Sequence, residues 1–220
     1  MKDENSNSVY FPVLINLKEF PVIIIGGGDV ALRKAESLLK FNGDITVLAP
    51  DICESLLELK NKNKIKILKG YYAPEHIKNF KIIFSATNDP EVNKQIYDDC
   101  KKEGKLLNVV DNPPLCDFIL PANVKRGNLT ISVASQGSAP FYVKEIKRKL
   151  EHLFPEYYKD LLEIAEQFRN NLMDEQIFVA PENKREAFEE FIETDWEKIF
   201  LEEGKIKAEL KMKELLAKFI

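Results

Sequence analysis

A chain of 220 residues, 45% apolar and 31% charged, has room for one domain of ordinary size and a smaller companion. Its net charge of −4 excludes the basic face on which general nucleic-acid binding rests. No apolar run approaches the roughly 20 residues that span a bilayer, and the polar opening Met1–Ser8 lacks the apolar core of a signal peptide.

Val22-Ile-Ile-Ile25 is the first predicted strand, apolar and mostly β-branched as a buried parallel strand should be. Gly26, Gly28 and Ala31 follow in G-x-G-x-x-A spacing and lead into a helix from about Val30 to Phe41. That strand, tight turn and helix suit a dinucleotide pyrophosphate: Gly26 for the turn, Gly28 for close approach, Ala31 for helix–strand packing. Within the helix, Ala31, Ala35, Leu38 and Leu39 share the apolar face, and Arg33-Lys34 reads as a solvated face with phosphate contact as the alternative.

Strands follow at 45–48, 64–68, 81–86 and 106–110, with helices near 52–59 and 90–102. Repeated β-α-β units imply a parallel sheet with helices on both faces. The pattern changes at Pro113-Pro114. Phe118–Leu120 and Leu129–Val133 read as the strands of an antiparallel hairpin turning at Lys125-Arg126-Gly127. Helices are expected at 141–154, 156–172, 184–193 and 202–219. The chain thus reads as α/β: a Rossmann-type domain over 1–112, a small β dimerisation segment over 113–140, and a helical C-terminal domain over 141–220.

Ligands of such a sheet bind at the carboxyl ends of its strands, where three loops should meet: 26–30, 49–51 and 85–89. Asp51 lies 23 residues beyond Gly28, close to the spacing of an acid that bonds ribose hydroxyls; a helix cap is the alternative. No Arg in that loop receives a 2′-phosphate, so NAD is favoured over NADP. Thr87 is a cofactor-contacting candidate, while Asp89-Pro90 also reads as an ordinary helix start. Asp111 ends a nearly apolar strand before a stiff Asn-Pro-Pro. It reads either as a partly desolvated carboxylate suited to proton transfer or as an Asx-turn residue. The small-residue loop 132–140, with Ser135 in it, suits either anion binding or helix capping. His76 and His152 stand in no metal-ligand spacing, and no metal site is expected. Cys53, Cys100 and Cys116 are widely separated with no C-x-x-C, which suggests reduced thiols in a cytoplasmic protein.

Together, Gly26–Lys34, Thr46–Pro50, Ser85–Asn93, Asn108–Asn112, Phe118–Pro121 and Ile131–Pro140 resemble the precorrin-2 dehydrogenase family, found alone or as the N-terminal part of siroheme synthase. The resemblance runs from Tyr10 to about Leu172. It implies NAD-dependent oxidation of precorrin-2 to sirohydrochlorin, and in bifunctional members insertion of Fe2+ as a second substrate. It places Asp111 at the family's essential aspartate, Ser135 at a serine near the tetrapyrrole, and Asp29-Val30 and Pro50-Asp51 at cofactor-contacting pairs. It also implies a homodimer, and 220 residues leave no room for the methyltransferase domain of siroheme synthase. From a different class, a non-catalytic NAD-binding sensor with a helical partner-binding tail is the alternative; Asp111 discriminates, because a sensor needs no carboxylate there.

Overall fold

The computed structural model describes residues 10–174 and 179–220; Met1–Ser8 lies outside them. The chain divides into two compact units, Met1–Leu120 and Pro121–Ile220.

The first unit is built on a five-stranded parallel sheet. Its strands are β1 (Val22–Ile25), β2 (Ile45–Ala49), β3 (Lys66–Lys69), β4 (Ile82–Ser85) and β5 (Leu106–Val109), in the order β3-β2-β1-β4-β5. Helices α1 (Asp29–Leu39), α2 (Glu54–Asn61) and α3 (Pro90–Glu103) make the crossovers, together with a 3-10 turn at Pro74–Ile77. Every residue of β1, β2 and β4 is buried, as expected of strands covered on both faces. Two apolar clusters divide the alternating side chains. Val22, Ile24, Val47 and Phe84 pack with Ala31 and Ala35 of α1, while Ile23, Ile25, Leu48 and Ile83 pack with Ile96 and Cys100 of α3. Each large aliphatic side chain so buried contributes about 1.5–3 kcal/mol.

Beyond β5 the chain differs from expectation. Phe118–Leu120 forms no strand; residues 116–118 instead fold back along the outer edge of β5. Asp117 N–H donates to the Leu107 carbonyl (2.8 Å), Leu107 N–H to the Asp117 carboxylate (3.0 Å), and the Asn108 side-chain amide to the Phe118 carbonyl (2.9 Å). Sheet edges that would otherwise present unpaired groups are commonly covered in this way.

The second unit opens with the hairpin, β6 (Ala122–Arg126) paired with β7 (Leu129–Val133), so the first strand lies four residues later than its predicted start. Arg126 pairs with Leu129, leaving a two-residue turn with Gly127 at φ +56°. Among the described residues five helices follow: α4 (Pro140–Leu153), α5 (Tyr158–Leu172), α6 (Pro181–Glu193), α7 (Trp196–Glu202) and α8 (Gly204–Leu216). The hairpin contacts α4 and α5 and belongs with the helices. Contacts therefore divide the chain after Leu120, rather than at the expected 112 and 140. Ile164, Phe168, Phe191, Trp196, Ala208 and Met212 are in the unit's core. Helix α7 has no counterpart in the apolar periodicity. It starts because the Asp195 carboxylate accepts from Lys198 N–H (3.0 Å) and the Trp196 indole donates to the Phe191 carbonyl (2.7 Å).

Candidate functional site

The strand order reverses between β1 and β4, and ligands of open parallel sheets lie at such a switch point. There the loops are locked by backbone contact. Gly26 N–H donates to the Leu48 carbonyl (2.9 Å), Ala86 N–H to Ile25 (2.7 Å), and Cys53 N–H to Gly27 (2.8 Å). A Cβ on Gly26 would lie 2.3 Å from the Ala86 oxygen, and one on Gly27 only 1.9 Å from the Asp51 oxygen. Both glycines are required by neighbouring backbone, and Gly26 additionally by its φ of +134°.

Gly28 is different. Nothing lies within 4 Å of where its Cβ would stand, and its φ of −96° is ordinary. It precedes α1 without a side-chain cap, so the first N–H groups of this three-turn helix donate to no capping side chain. This donor set fits a dinucleotide pyrophosphate: backbone N–H groups, a helix terminus of partial positive charge, and room above a glycine. Asp29, exposed, and Val30, half-buried, begin that helix.

Pro50 and Asp51 lie at the tip of β2. Asp51 is exposed, and α2 starts at Glu54 behind Cys53 with no side-chain cap, so Asp51 does not cap that helix.

The loop after β4 is held by a polar network. Ser85, 1% exposed, donates from Oγ to Asn93 Oδ1 (2.6 Å), and Asn93 Nδ2 donates to the Thr87 carbonyl (3.1 Å). Thr87 Oγ1 accepts from Asp89 N–H (3.2 Å), while the Asp89 carboxylate caps α3 through Glu91 N–H and Val92 N–H. Asp89 is thus the helix start anticipated for it. Gly27 and the Ser85–Asn93 pair had no assigned role in the sequence reading. A third glycine where the motif needs two, and a serine ending an apolar strand, were the available signals.

Asp111 follows β5 at the same edge of the sheet. Two strand spacings, about 10 Å, separate the tip of β5 from that of β1. Its φ is +58°, in the left-handed region. The expectation of partial burial is corrected: Asp111 is exposed, at a left-handed turn just before Pro113. The Asx-turn alternative also finds no support, since among the described residues the Asp111 carboxylate accepts no hydrogen bond; Asn112 N–H goes to the Val109 carbonyl instead (3.3 Å). Lys34 departs from its expected solvated face. It is half-buried, on the same stripe of α1 as Ala31, Ala35 and Leu38.

In the second unit, Ser135 is half-buried and its Oγ accepts from Ala139 N–H (3.1 Å), while Ser138 Oγ donates to the Ser135 carbonyl (2.6 Å). The loop leading into α4 is thus closed by its own hydroxyls. Among the described residues, no cluster of His, Cys, Asp and Glu side chains could hold a metal ion, and no helix is long and apolar enough to cross a membrane.

The family model NAD_binding_7, described as NAD(P)-binding, matches residues 13–122, half of the chain. The chain belongs to this NAD(P)-binding family. Curated relatives include siroheme synthases. That of Pseudoalteromonas translucida is 37% identical over 163 residues, 74% of this chain and 34% of the relative. That of Ruthia magnifica is 36% identical over 199 residues, 90% of this chain and 41% of the relative. The chain therefore spans less than half the length of these relatives. Among solved structures, SirC, a precorrin-2 dehydrogenase, superposes with a TM-score of 0.76 at 25% identity, covering 95% of this chain and 98% of that one. The resemblance carried by the sequence motifs holds at the level of family and fold, and the parallel sheet of this NAD(P)-binding family member carries the glycine loop described above.

Proposed function

We propose that this chain is an NAD-dependent precorrin-2 dehydrogenase of siroheme biosynthesis. The observation that carries the reading is Asp111. A non-glycine residue held at φ +58°, exposed and unused by its own turn, stands at the sheet edge that bears the glycine loop. Left-handed residues persist where the surroundings over-determine them, often at functional sites, and Asp tolerates the region better than most.

Formation of sirohydrochlorin removes a hydride and a proton from precorrin-2. NAD+, when bound, supplies the hydride acceptor. Gly26, Gly27 and Gly28 with the first turn of α1 (Asp29, Val30) would hold its pyrophosphate, Pro50 and Asp51 would flank its ribose, and Thr87 would line the loop beside it. Asp111 would take the proton on a carboxylate oxygen as general base. Ser135 would contact the tetrapyrrole. Insertion of Fe2+ as a second substrate is a further activity of the same reading, with Asp111 as its carboxylate. We also assign the chain to the cytoplasm, on its three free cysteines, and to a homodimer. Support for the dimer comes from the hairpin: among the described residues its two strands pair only with each other and so leave outer edges open.

The test is an anaerobic assay with precorrin-2 generated in situ, following NADH and sirohydrochlorin spectra with and without Fe2+. Asp111→Asn keeps the size and left-handed tolerance of the residue. It should lower turnover by about 10²-fold or more while leaving NAD affinity and melting temperature unchanged. Absence of NAD-dependent sirohydrochlorin from the wild-type chain would sink the reading in favour of an NAD-binding sensor. Product that forms without acceleration of metal uptake would remove only the chelatase part.

A further inference from the structure

The turn that carries Asp111 is fastened from beside by one side chain. Residues Val109 to Asn112 form a turn closed by Asn112 N–H donating to the Val109 carbonyl (3.3 Å), with Asp111 left-handed at φ +58° inside it. The chain then doubles back through the 3-10 turn Pro113–Leu115. There Leu115 N–H donates to the Asn112 carbonyl (3.1 Å) and Cys116 N–H to that of Pro113 (3.0 Å). Cys116 thereby returns beside the end of β5. Its Sγ accepts from Val109 N–H (3.2 Å) and lies within donating distance of two carbonyls, Val109 (3.2 Å) and Asn112 (3.4 Å). One thiol thus touches the first and the last residue of the turn, and Asp111 stands between them.

The sheet explains why a side chain is needed there. Among the described residues β5 pairs with β4 alone, and alternate N–H groups of an edge strand point away from its neighbour. On β5 those of Leu107 and Val109 go to consecutive side chains, the Asp117 carboxylate (3.0 Å) and the Cys116 thiol. Asp117 and Asn108 anchor the fold-back further along; the Cys116 contacts reach the Asp111 turn itself. A thiol is a weak donor and a weak acceptor, so the contacts fix geometry more than they add stability. Burial pushes the Cys116 thiol up, against the hydrogen bond from Val109, and the S–H donor persists at neutral pH.

We propose that Cys116 is a positioning residue for Asp111, its thiol bridging the two ends of the left-handed turn that presents the carboxylate. The proposal rests on the reading of Asp111 as general base. A base has to stand within hydrogen-bond reach of the proton it takes, and a misplacement of about 1 Å can cost about 10²-fold in rate. Asp111 is exposed and its backbone is left-handed, so its place depends on what holds the ends of its turn.

The experiment compares wild type, Cys116→Ser, Cys116→Val, Asp111→Asn and the double variant Asp111→Asn/Cys116→Val, each shown folded by melting before rates are read. Serine keeps a donor and an acceptor. Valine keeps apolar bulk without either, and the extended backbone of Cys116 (φ −96°, ψ 133°) suits it. Cys116→Val should lower kcat by about tenfold or more, with the KM for precorrin-2 and the Kd for NAD within about twofold of wild type. Cys116→Ser should recover kcat to within about threefold of wild type. Adding Cys116→Val to Asp111→Asn should change the residual rate by less than about twofold, because positioning has nothing left to act on. Where Cys116→Val does not fold, Cys116→Ala takes its place with the same expectations.

An unchanged kcat in Cys116→Val, whatever its melting temperature, is the result of a purely structural thiol and overturns the proposal. A Cys116→Ser as slow as Cys116→Val, or a full further loss in the double variant, overturns it as well. The two readings fail separately. Full turnover by Asp111→Asn removes both, whereas a slow Asp111→Asn beside a fully active Cys116→Val removes only this one.

Discussion

Two loops of this chain share one local plan, a strand, a run of small residues and an uncapped helix start, yet they are held by opposite means. After β1, the loop Gly26–Gly28 is shaped from outside. The Ala86 and Asp51 oxygens leave no space for a side chain at Gly26 or Gly27, and the space that remains lies over Gly28. After β7, the loop containing Ser135–Ser138 is shaped from inside. Gln136 and Gly137 take φ of +52° and +85°, nothing lies within 4 Å of a Cβ on Gly137, and the Ser135 and Ser138 hydroxyls close the turn. Small residues are needed in the first because neighbours crowd it, and in the second because the backbone turns left-handed. Crowding beside an uncapped helix leaves N–H groups available to a ligand; self-closure consumes them.

The contrast breaks most sharply at Gly27. Gly27→Ala drives a Cβ into the Asp51 oxygen, so it should destabilise the first unit by about 3 kcal/mol or more and abolish NAD binding. Thermal melting together with NAD titration measures both, and a stable, NAD-binding Gly27→Ala would refute the crowding. Gly28→Ala separates ligand space from protein space. Melting should be unchanged, since φ is ordinary and the space is open, while the Kd for NAD rises about tenfold, or about 1.4 kcal/mol. Equal affinity for wild type and Gly28→Ala would show that no ligand approaches there. Gly137→Ala should cost about 1 kcal/mol of melting stability through its left-handed backbone. Ser135→Ala, which removes the acceptor for Ala139 N–H, should cost about 0.5–1 kcal/mol. Neither change in the second loop should move NAD affinity by more than about twofold, and a larger effect would mean that the two loops are not independent. Asp111→Ala differs from Asp111→Asn on the same principle. Alanine tolerates φ +58° less well, so it should melt lower than the Asn variant by about 1 kcal/mol while being equally inactive.

The sequence by itself determined the parallel sheet, because runs such as Val22–Ile25 and Ile45–Ala49 are apolar on both faces and can be buried only between two layers of helices. It also determined the glycine turn after β1 and the start of α3, whose signals are local: glycine spacing, and Asp89 before Pro90. Tertiary structure alone decided matters that depend on contacts distant in sequence. Phe118–Leu120 has strand composition but gives way to a fold-back along β5, because Asp117 and Asn108 offer that edge hydrogen bonds from ten residues away. Gly27 acquired its importance from a carbonyl 24 residues later, and Ser85 from Asn93 across a helix start. Lys34 has the pattern of a surface charge, yet its ammonium lies 6.0 Å from the ring centroid of the buried Phe84. Periodicity reports which face of an element is apolar; it cannot report which polar group the folded neighbours will leave without water.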